Sequence, residues 1–556
     1  MIAQRTLTDV RAAVKHDIAI YAALLVVAML IGCFNLSGSG SLWPDGSQYA
    51  NAAAMIHDWL LSGDILHPWK FAEKNYVQYP AFHLPYHPPG YPALLGLFFL
   101  ITGVSYDAAR VFIALCLWLS GCFFYGILRR TGISQLGAFC SSLLVVTTPQ
   151  IAFWSRDTMA EIPGLAFILA GSYFFVVWLA TESTLACVAA FCFAEMAFFS
   201  RYLTAGVLPA WFLWVLLAGR IRRLLSPVLV SAAALYLILN ALWIHYTLRF
   251  SRYETAYSST PPNTNYATLF SWKIIAFYST RIPEMIGWAA VVAACVGLFY
   301  TLRSSQGRLS QFFWLSWLLS NVIFLLIVRI YQEDRYFIYA LPGFIGFIAA
   351  TFSLGEAKND VRRYAGPILA SVCLVANVIT FVRLPQGIVG YEIIGKRLAS
   401  LDAPGNILVS SLQQADLIFR YRSNHPAVER SFIRGDRSLA IRPPHYSDAE
   451  TTSIAHNAND VLAIIRRGRI RYIVTCSLEH RKNDNRAAEM KMLHEIAKSD
   501  PASFQLIRKF PLRLEYGTPG YFGRIWLWKF TGKLPSGPSE IPVVVPTADL
   551  NIEPAK

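Results

Sequence analysis

Long apolar runs bounded by basic or polar clusters set the pattern of the first two thirds of the chain. A membrane-crossing helix needs about 20 mostly apolar residues. Candidate runs occupy 18–34, 108–128, 136–146, 162–180, 185–199, 203–217, 225–246, 285–302, 312–328, 337–352 and 367–382. The pattern therefore predicts about eleven transmembrane helices. A further run, 92–101, is too short to span and predicts an interfacial or re-entrant piece. The first run follows Arg5, Arg11 and Lys15 and has no convincing small-residue cleavage site, so it reads as a retained anchor.

Basic residues set the orientation. With the N-terminus (1–17) cytoplasmic, the inner loops carry Arg129–Arg130, then Arg220, Arg222 and Arg223, then Arg303 and Arg308, then Lys358, Arg362 and Arg363. Loops 35–107 and 247–284 then fall outside. An odd number of spans puts the C-terminal segment outside as well. That segment changes character at about 384. It shows short β-like stretches (407–411, 472–476, 525–530) and helical patterns (460–467, 487–497). It reads as an extracytoplasmic α/β domain over 384–533, with a Pro-rich tail over 534–556. The expected architecture is a polytopic α-helical membrane domain over 18–383 joined to that domain.

Composition agrees: 55% of residues are hydrophobic and only 15% charged, against roughly 25% charged in ordinary soluble chains. Disorder, collagen-like repeats and disulfide scaffolds are excluded. Eight of nine cysteines lie in or beside apolar spans, leaving Cys476 alone in the soluble part. The net charge of +15 is accounted for by inner loops, a few outer arginines and the soluble domain, so nucleic acid is not needed as a partner.

Charged groups at membrane spans are costly and ask for a reason. Five polar motifs fall on the expected outer side. They are Asp45 to Tyr49, His87-Pro88-Pro89, Arg156-Asp157 leading to Glu161, Arg201-Tyr202, and Glu333-Asp334-Arg335-Tyr336. Each alone has a plainer explanation. Asp45 suits a helix N-cap, Arg156 and Asp157 a loop ion pair, and Glu161 a helix dipole. Arg201 and Arg335 suit snorkelling anchors, and His87 a turn. Their shared sidedness favours one polar site. Arginines and His⁺ hold phosphate by charge-assisted hydrogen bonds, and a carboxylate takes the proton from an incoming hydroxyl.

In their order along the chain these motifs resemble the C-superfamily (GT-C) of membrane glycosyltransferases. The branch is that of the lipid A aminoarabinose transferase, the rhizobial galacturonosyltransferases and the protein O-mannosyltransferases. The resemblance rests on Asp45 to Tyr49, His87-Pro88-Pro89 to Tyr91, Glu161 with Pro163, Arg201, and Arg335-Tyr336 before Leu341-Pro342. It implies a polyprenyl-phosphate sugar donor and inverting transfer without a cofactor to a glycolipid, polysaccharide or protein hydroxyl on the outer face of the plasma or inner membrane. It implies Asp45 as base or as the residue orienting the acceptor hydroxyl, with Glu161 assisting by binding sugar or positioning a cation, and His87, Arg201 and Arg335 on the donor phosphate with Arg156 as a candidate fourth. Asp157, Tyr49 and Tyr336 would position substrate. No dedicated metal site is expected, the alternative being a divalent ion shared by Asp45, Asp157 and Glu161. His87 and Arg201 stand where the aminoarabinose enzymes have Lys, and Glu161 stands for Asp, so the sugar is not implied. The competing class is a flippase of polyprenyl-linked lipid, which would mark the midplane or both faces rather than one.

Overall fold

The computed structural model describes residues 7–36, 42–82, 87–250, 271–303, 308–328, 333–353, 364–384, 387–441, 452–478, 488–514, 521–537, 539–541, 543–545 and 550–552. The inner-loop residues Lys358, Arg362 and Arg363 and most of loop 247–284 lie outside the described residues. The chain divides into two compact units, each assembled from separated stretches. One is Met1–Phe34, Arg110–Leu242 and Thr264–Leu384; the other is Asn35–Ala109, Trp243–Asn263 and Pro385–Lys556.

The first unit is helical. All eleven apolar runs fall on helix. Four helices are long and apolar enough to cross a membrane: Tyr106–Arg130, Glu161–Thr181, Pro227–Thr247 and Ala365–Val382. Most of the others are shorter apolar helices, such as Gln135–Thr147 and Thr184–Ser200. Burial sorts them. Glu161–Thr181 is apolar on every face and 83% buried, so it is the central helix, whereas Ala365–Val382 is 22% buried. The latter leaves Ile368, Val372, Val375, Val378 and Val382 each more than half exposed. Such a continuous apolar stripe suits hydrocarbon and marks an integral membrane protein.

The run at 285–302 is more complicated than the sequence suggests. It is the second arm of a broken pair, Trp272–Ile286 and Trp288–Arg303, bent by 107°. Gly287 makes the bend, with φ +85, a conformation other residues rarely hold. The first arm, expected to be loop, is amphipathic. It buries Ile274, Tyr278, Met285 and Ile286 and exposes Trp272.

The second unit holds a six-stranded sheet: β1 Ile388–Val389, β2 Asn406–Ser410, β3 Phe432–Arg434, β4 Ile470–Leu478, β5 Phe504–Leu514 and β6 Tyr521–Phe530. Its order is β1-β5-β6-β4-β2-β3. Strand β2 runs parallel to β3 and β4, while the remaining pairs are antiparallel. The expected strands and the helices Ala458–Arg467 and Ala488–Ser499 are all present. The helices Tyr391–Ala399 and Gln414–Ser423 and the strand β5 were not expected.

The long first loop folds within this same unit. It forms the helices Pro44–Ser62, Pro68–Gln78 and Gly90–Thr102. Tyr79 and Ala81 share one apolar core with Tyr391, Ile407, Tyr421 and Phe432 of the α/β part. Phe99 stacks on Phe419 at 6.4 Å between ring centres.

Candidate active site

The predicted site residues gather in two constellations, one in each unit. In the helical unit the centre is Glu161, the first residue of the central helix and wholly buried. Its Oε1 lies 3.0 Å from Arg201 Nη2 and 3.9 Å from Arg335 Nε. Two breaks in helical structure bring these groups together. Arg201 ends the Thr184–Ser200 helix in extended backbone, before the 3-10 turn Tyr202–Val207. Arg335 sits in the 3-10 turn Asp334–Tyr339, which leads into the Leu341–Ala350 helix with its early Pro342.

Both guanidinium groups lie over the Tyr336 ring, at 5.6 Å for Arg201 and 5.2 Å for Arg335. Arg335 also pairs with Glu333. Next to it, Arg281 from the Trp272–Ile286 arm pairs with Asp334 at 2.8 Å, and Tyr278 stacks on Phe337. Gly164, one turn into the central helix, permits the close approach. A Cβ there would sit 2.7 Å from Tyr339 Oη and 3.4 Å from Arg201 Cβ.

Burial decides what this cluster can do. Arg201 and Arg335 have side chains only 12% and 7% exposed, so the snorkelling explanation fails for both. The Glu161–Arg201 distance is that of an ion pair, yet among the described residues neither Glu161 oxygen accepts a hydrogen bond of good geometry. The carboxylate neutralises charge through its ion-pair contacts with both arginines. Two buried cations over one tyrosine ring, matched by two carboxylates, make a desolvated and charge-balanced cluster.

Arg156 and Asp157 are buried nearby in sequence but sit in another setting. The Arg156 guanidinium packs over the rings of Phe34 (5.3 Å) and Phe381 (5.5 Å) and donates to the Leu384 carbonyl at 3.4 Å. Asp157 Oδ1 accepts from the Thr158 amide at 2.7 Å.

The second constellation lies at the two ends of the first loop. The Pro44–Ser62 helix has Trp43 as its cap and begins at Pro44, so Asp45 is in its first turn and is not the cap. One turn on, Tyr49 Oη lies 3.2 Å from His87 Nδ1, and their rings are 4.5 Å apart. His87 Nε2 lies 3.3 Å from Gln48 Oε1. Tyr91 completes the aromatic contact, 5.4 Å from Tyr49. His87 is thus tied to the Asp45 helix from both ring nitrogens, which is more than a turn residue requires. Among the described residues, no three His, Cys, Asp or Glu side chains gather as a metal cluster.

Sequence reasoning missed Glu333 as the counter-charge of Arg335, Gly164 as the contact that admits Tyr339, and Arg281. Glu333 was legible as an acid two residues before Arg335; the other two depend on helix packing.

A family profile described as dolichyl-phosphate-mannose-protein mannosyltransferase matches residues 86–246, the stretch that carries His87, Glu161 and Arg201. ArnT from Cupriavidus metallidurans, solved bound to undecaprenyl phosphate, superposes with a TM-score of 0.52 at 11% identity, covering 93% of this chain and 98% of that one. The fold is GT-C. The oligosaccharyltransferase of Archaeoglobus fulgidus matches with a TM-score of 0.51 at 12% identity, over 82% of this chain and 67% of that one. Arabinofuranosyltransferase AftD from Mycobacteria matches with a TM-score of 0.51 at 12% identity, over 95% of this chain and 40% of its own. No curated protein sequence matches the chain. The GT-C resemblance read from the motifs is therefore borne out at the level of fold.

Proposed function

We propose that this GT-C chain transfers a sugar from a polyprenyl-phosphate donor to a hydroxyl acceptor on the extracytoplasmic side of the membrane. The observation that carries the reading is the pair Arg201 and Arg335, buried over Tyr336 and focused on one carboxylate. Such a pair suits a phosphate monoester whose charge rises as the sugar leaves. That ArnT of similar fold was solved with undecaprenyl phosphate supports the class of donor.

The roles divide as follows. The acceptor oxygen bonds to the anomeric carbon from the side opposite the phosphate. The bond from that carbon to the phosphate oxygen breaks, and its electron pair leaves with the polyprenyl phosphate. Asp45 takes the acceptor proton, and configuration inverts. Arg201 and Arg335 stabilise the departing phosphate, with Glu161 holding them in place and Glu333 neutralising Arg335 when no donor is bound. His87 adds a further phosphate contact, and Tyr49 orients its ring. Arg156 and Asp157 shape the surroundings. No metal or cofactor is assigned. The N-terminus is cytoplasmic and the α/β part extracytoplasmic.

The test is transfer in detergent from lipid-linked sugars that accumulate in a strain lacking the gene. Wild type is expected to release undecaprenyl phosphate only when acceptor is present, and Arg201→Ala and Arg335→Ala to lose binding of undecaprenyl phosphate. Unchanged binding in both variants would remove the phosphate role. Movement of intact donor across vesicles without release of phosphate would make the chain a flippase. A reporter fused after Leu384 that scored cytoplasmic would overturn the topology.

A further inference from the structure

Two arms of the first loop are gripped by one side chain of the α/β part. Arg422 lies in the Gln414–Ser423 helix and is buried, with its guanidinium divided among three partners. Nη2 donates to Asp58 Oδ2 at 2.7 Å, and Nη1 to the Asn51 carbonyl at 3.3 Å. Both partners are on the Asp45 helix. The face of the guanidinium covers the Tyr79 ring at 4.5 Å, and Tyr79 belongs to the opposite arm of the loop, which returns to His87. Neighbours reinforce the grip. Asn51 Nδ2 donates to the Ala415 carbonyl at 2.9 Å with its side chain fully buried. Arg434 Nη1 donates to the Pro80 carbonyl at 3.2 Å.

We infer that Arg422 is a positioning residue that sets Asp45 relative to His87 by clamping both arms of the first loop to the α/β sheet. This rests on the reading of Asp45 as the base. Planarity is what the role needs: the fork spans two acceptors on one helix while its face packs on a ring of the other arm. An ammonium group would keep the Asp58 charge pair and lose the rest. The α/β part is then more than an appended module, because without it the Asp45 helix has no fixed depth or rotation. Misplacing a catalytic group by about 1 Å can cost on the order of 100-fold in rate.

The experiment uses the full chain in detergent with Arg422→Gln, Arg422→Lys, Asp45→Asn and the double variant Asp45→Asn/Arg422→Gln. An exposed control is Lys491→Ala, on the sheet-packing Ala488–Ser499 helix. Turnover uses the accumulated lipid-linked sugars, binding uses undecaprenyl phosphate alone, and hydrogen exchange follows residues 44–62 and 76–82. Both Arg422 variants are expected to lower kcat by about 10- to 100-fold while undecaprenyl phosphate binding stays within a few-fold. Exchange should speed up in both loop segments, and the double variant should be no slower than Asp45→Asn. Lys491→Ala should match wild type. Unchanged exchange in both segments overturns the clamp whether or not turnover is seen. Normal turnover in Arg422→Gln beside an inactive Asp45→Asn overturns the positioning role while leaving the base intact. Full activity in Asp45→Asn overturns the base assignment instead.

Discussion

The two constellations solve opposite problems. Around Glu161 the charges are buried among membrane helices and answer one another, two guanidinium groups against two carboxylates. Around Asp45, the side chains of Asp45, Gln48 and His87 are half-buried beside the buried rings of Tyr49 and Tyr91, and His87 bonds to Tyr49 and Gln48. The first design places strong charges where water is scarce, so each charge depends on its partner. The second leaves Asp45 half-buried in the first turn of its helix. Substitutions should therefore behave differently at the two places.

The largest effect is expected for Glu161→Ala. Removing one partner of a buried pair costs about 3–5 kcal/mol, so the variant should lose transfer and melt earlier or fail to accumulate, read by activity and thermal unfolding together. Asp45→Asn should separate the two readouts. Transfer is expected to fall roughly 10²–10⁴-fold, the usual worth of a general base, with unfolding unchanged; a shifted melting curve would show that Asp45 is structural. Gly164→Ala tests packing alone. A methyl group pressed on Tyr339 and Arg201 should cost about 1–3 kcal/mol and weaken undecaprenyl phosphate binding without touching Asp45.

The smallest effect concerns the α/β sheet. Burial against Trp526 and Trp528, with Lys498 next in importance, pushes the His494 imidazole below its ordinary value. A depressed histidine favours the neutral fold, so stability is present above about pH 6.5 and is lost as pH falls through the lower folded value. Thr475 Oγ1 contacts the ring at 3.1 Å, and Lys509 and Glu495 act on it more weakly. His494→Gln should flatten the dependence of the melting temperature between pH 7.5 and 5; an unchanged slope would assign it to other groups.

The sequence was most informative where one physical requirement dominates. Apolar length located all eleven helical runs, and charge in the wrong solvent singled out Glu161, Arg201 and Arg335. It was weaker where two requirements mix. The Trp272–Ile286 helix was hidden because an amphipathic interfacial arm has no long apolar run. Strand β5 was hidden because Arg508, Lys509, Pro511 and Arg513, with a register shift between Leu506 and Arg508, obscure its alternation. The Gln414–Ser423 helix carries Asp416, Arg420 and Arg422, which look like a solvated face. They are buried because their partners are supplied by the first loop and by the helix itself. No local pattern could show that.

Those distant partners also govern how the protein is made. Asn51 and Ala415, like Asp58 and Arg422, are 364 residues apart. At about 5–20 residues per second, the ribosome needs roughly 20–70 s after finishing one side of these contacts to deliver the other. During that interval the first loop has emerged with Asn51, Tyr79 and Ala81 uncovered. Its maturation therefore waits on the last third of the chain. Damage to the sheet should reveal itself first as proteolytic clipping near the beginning of the protein.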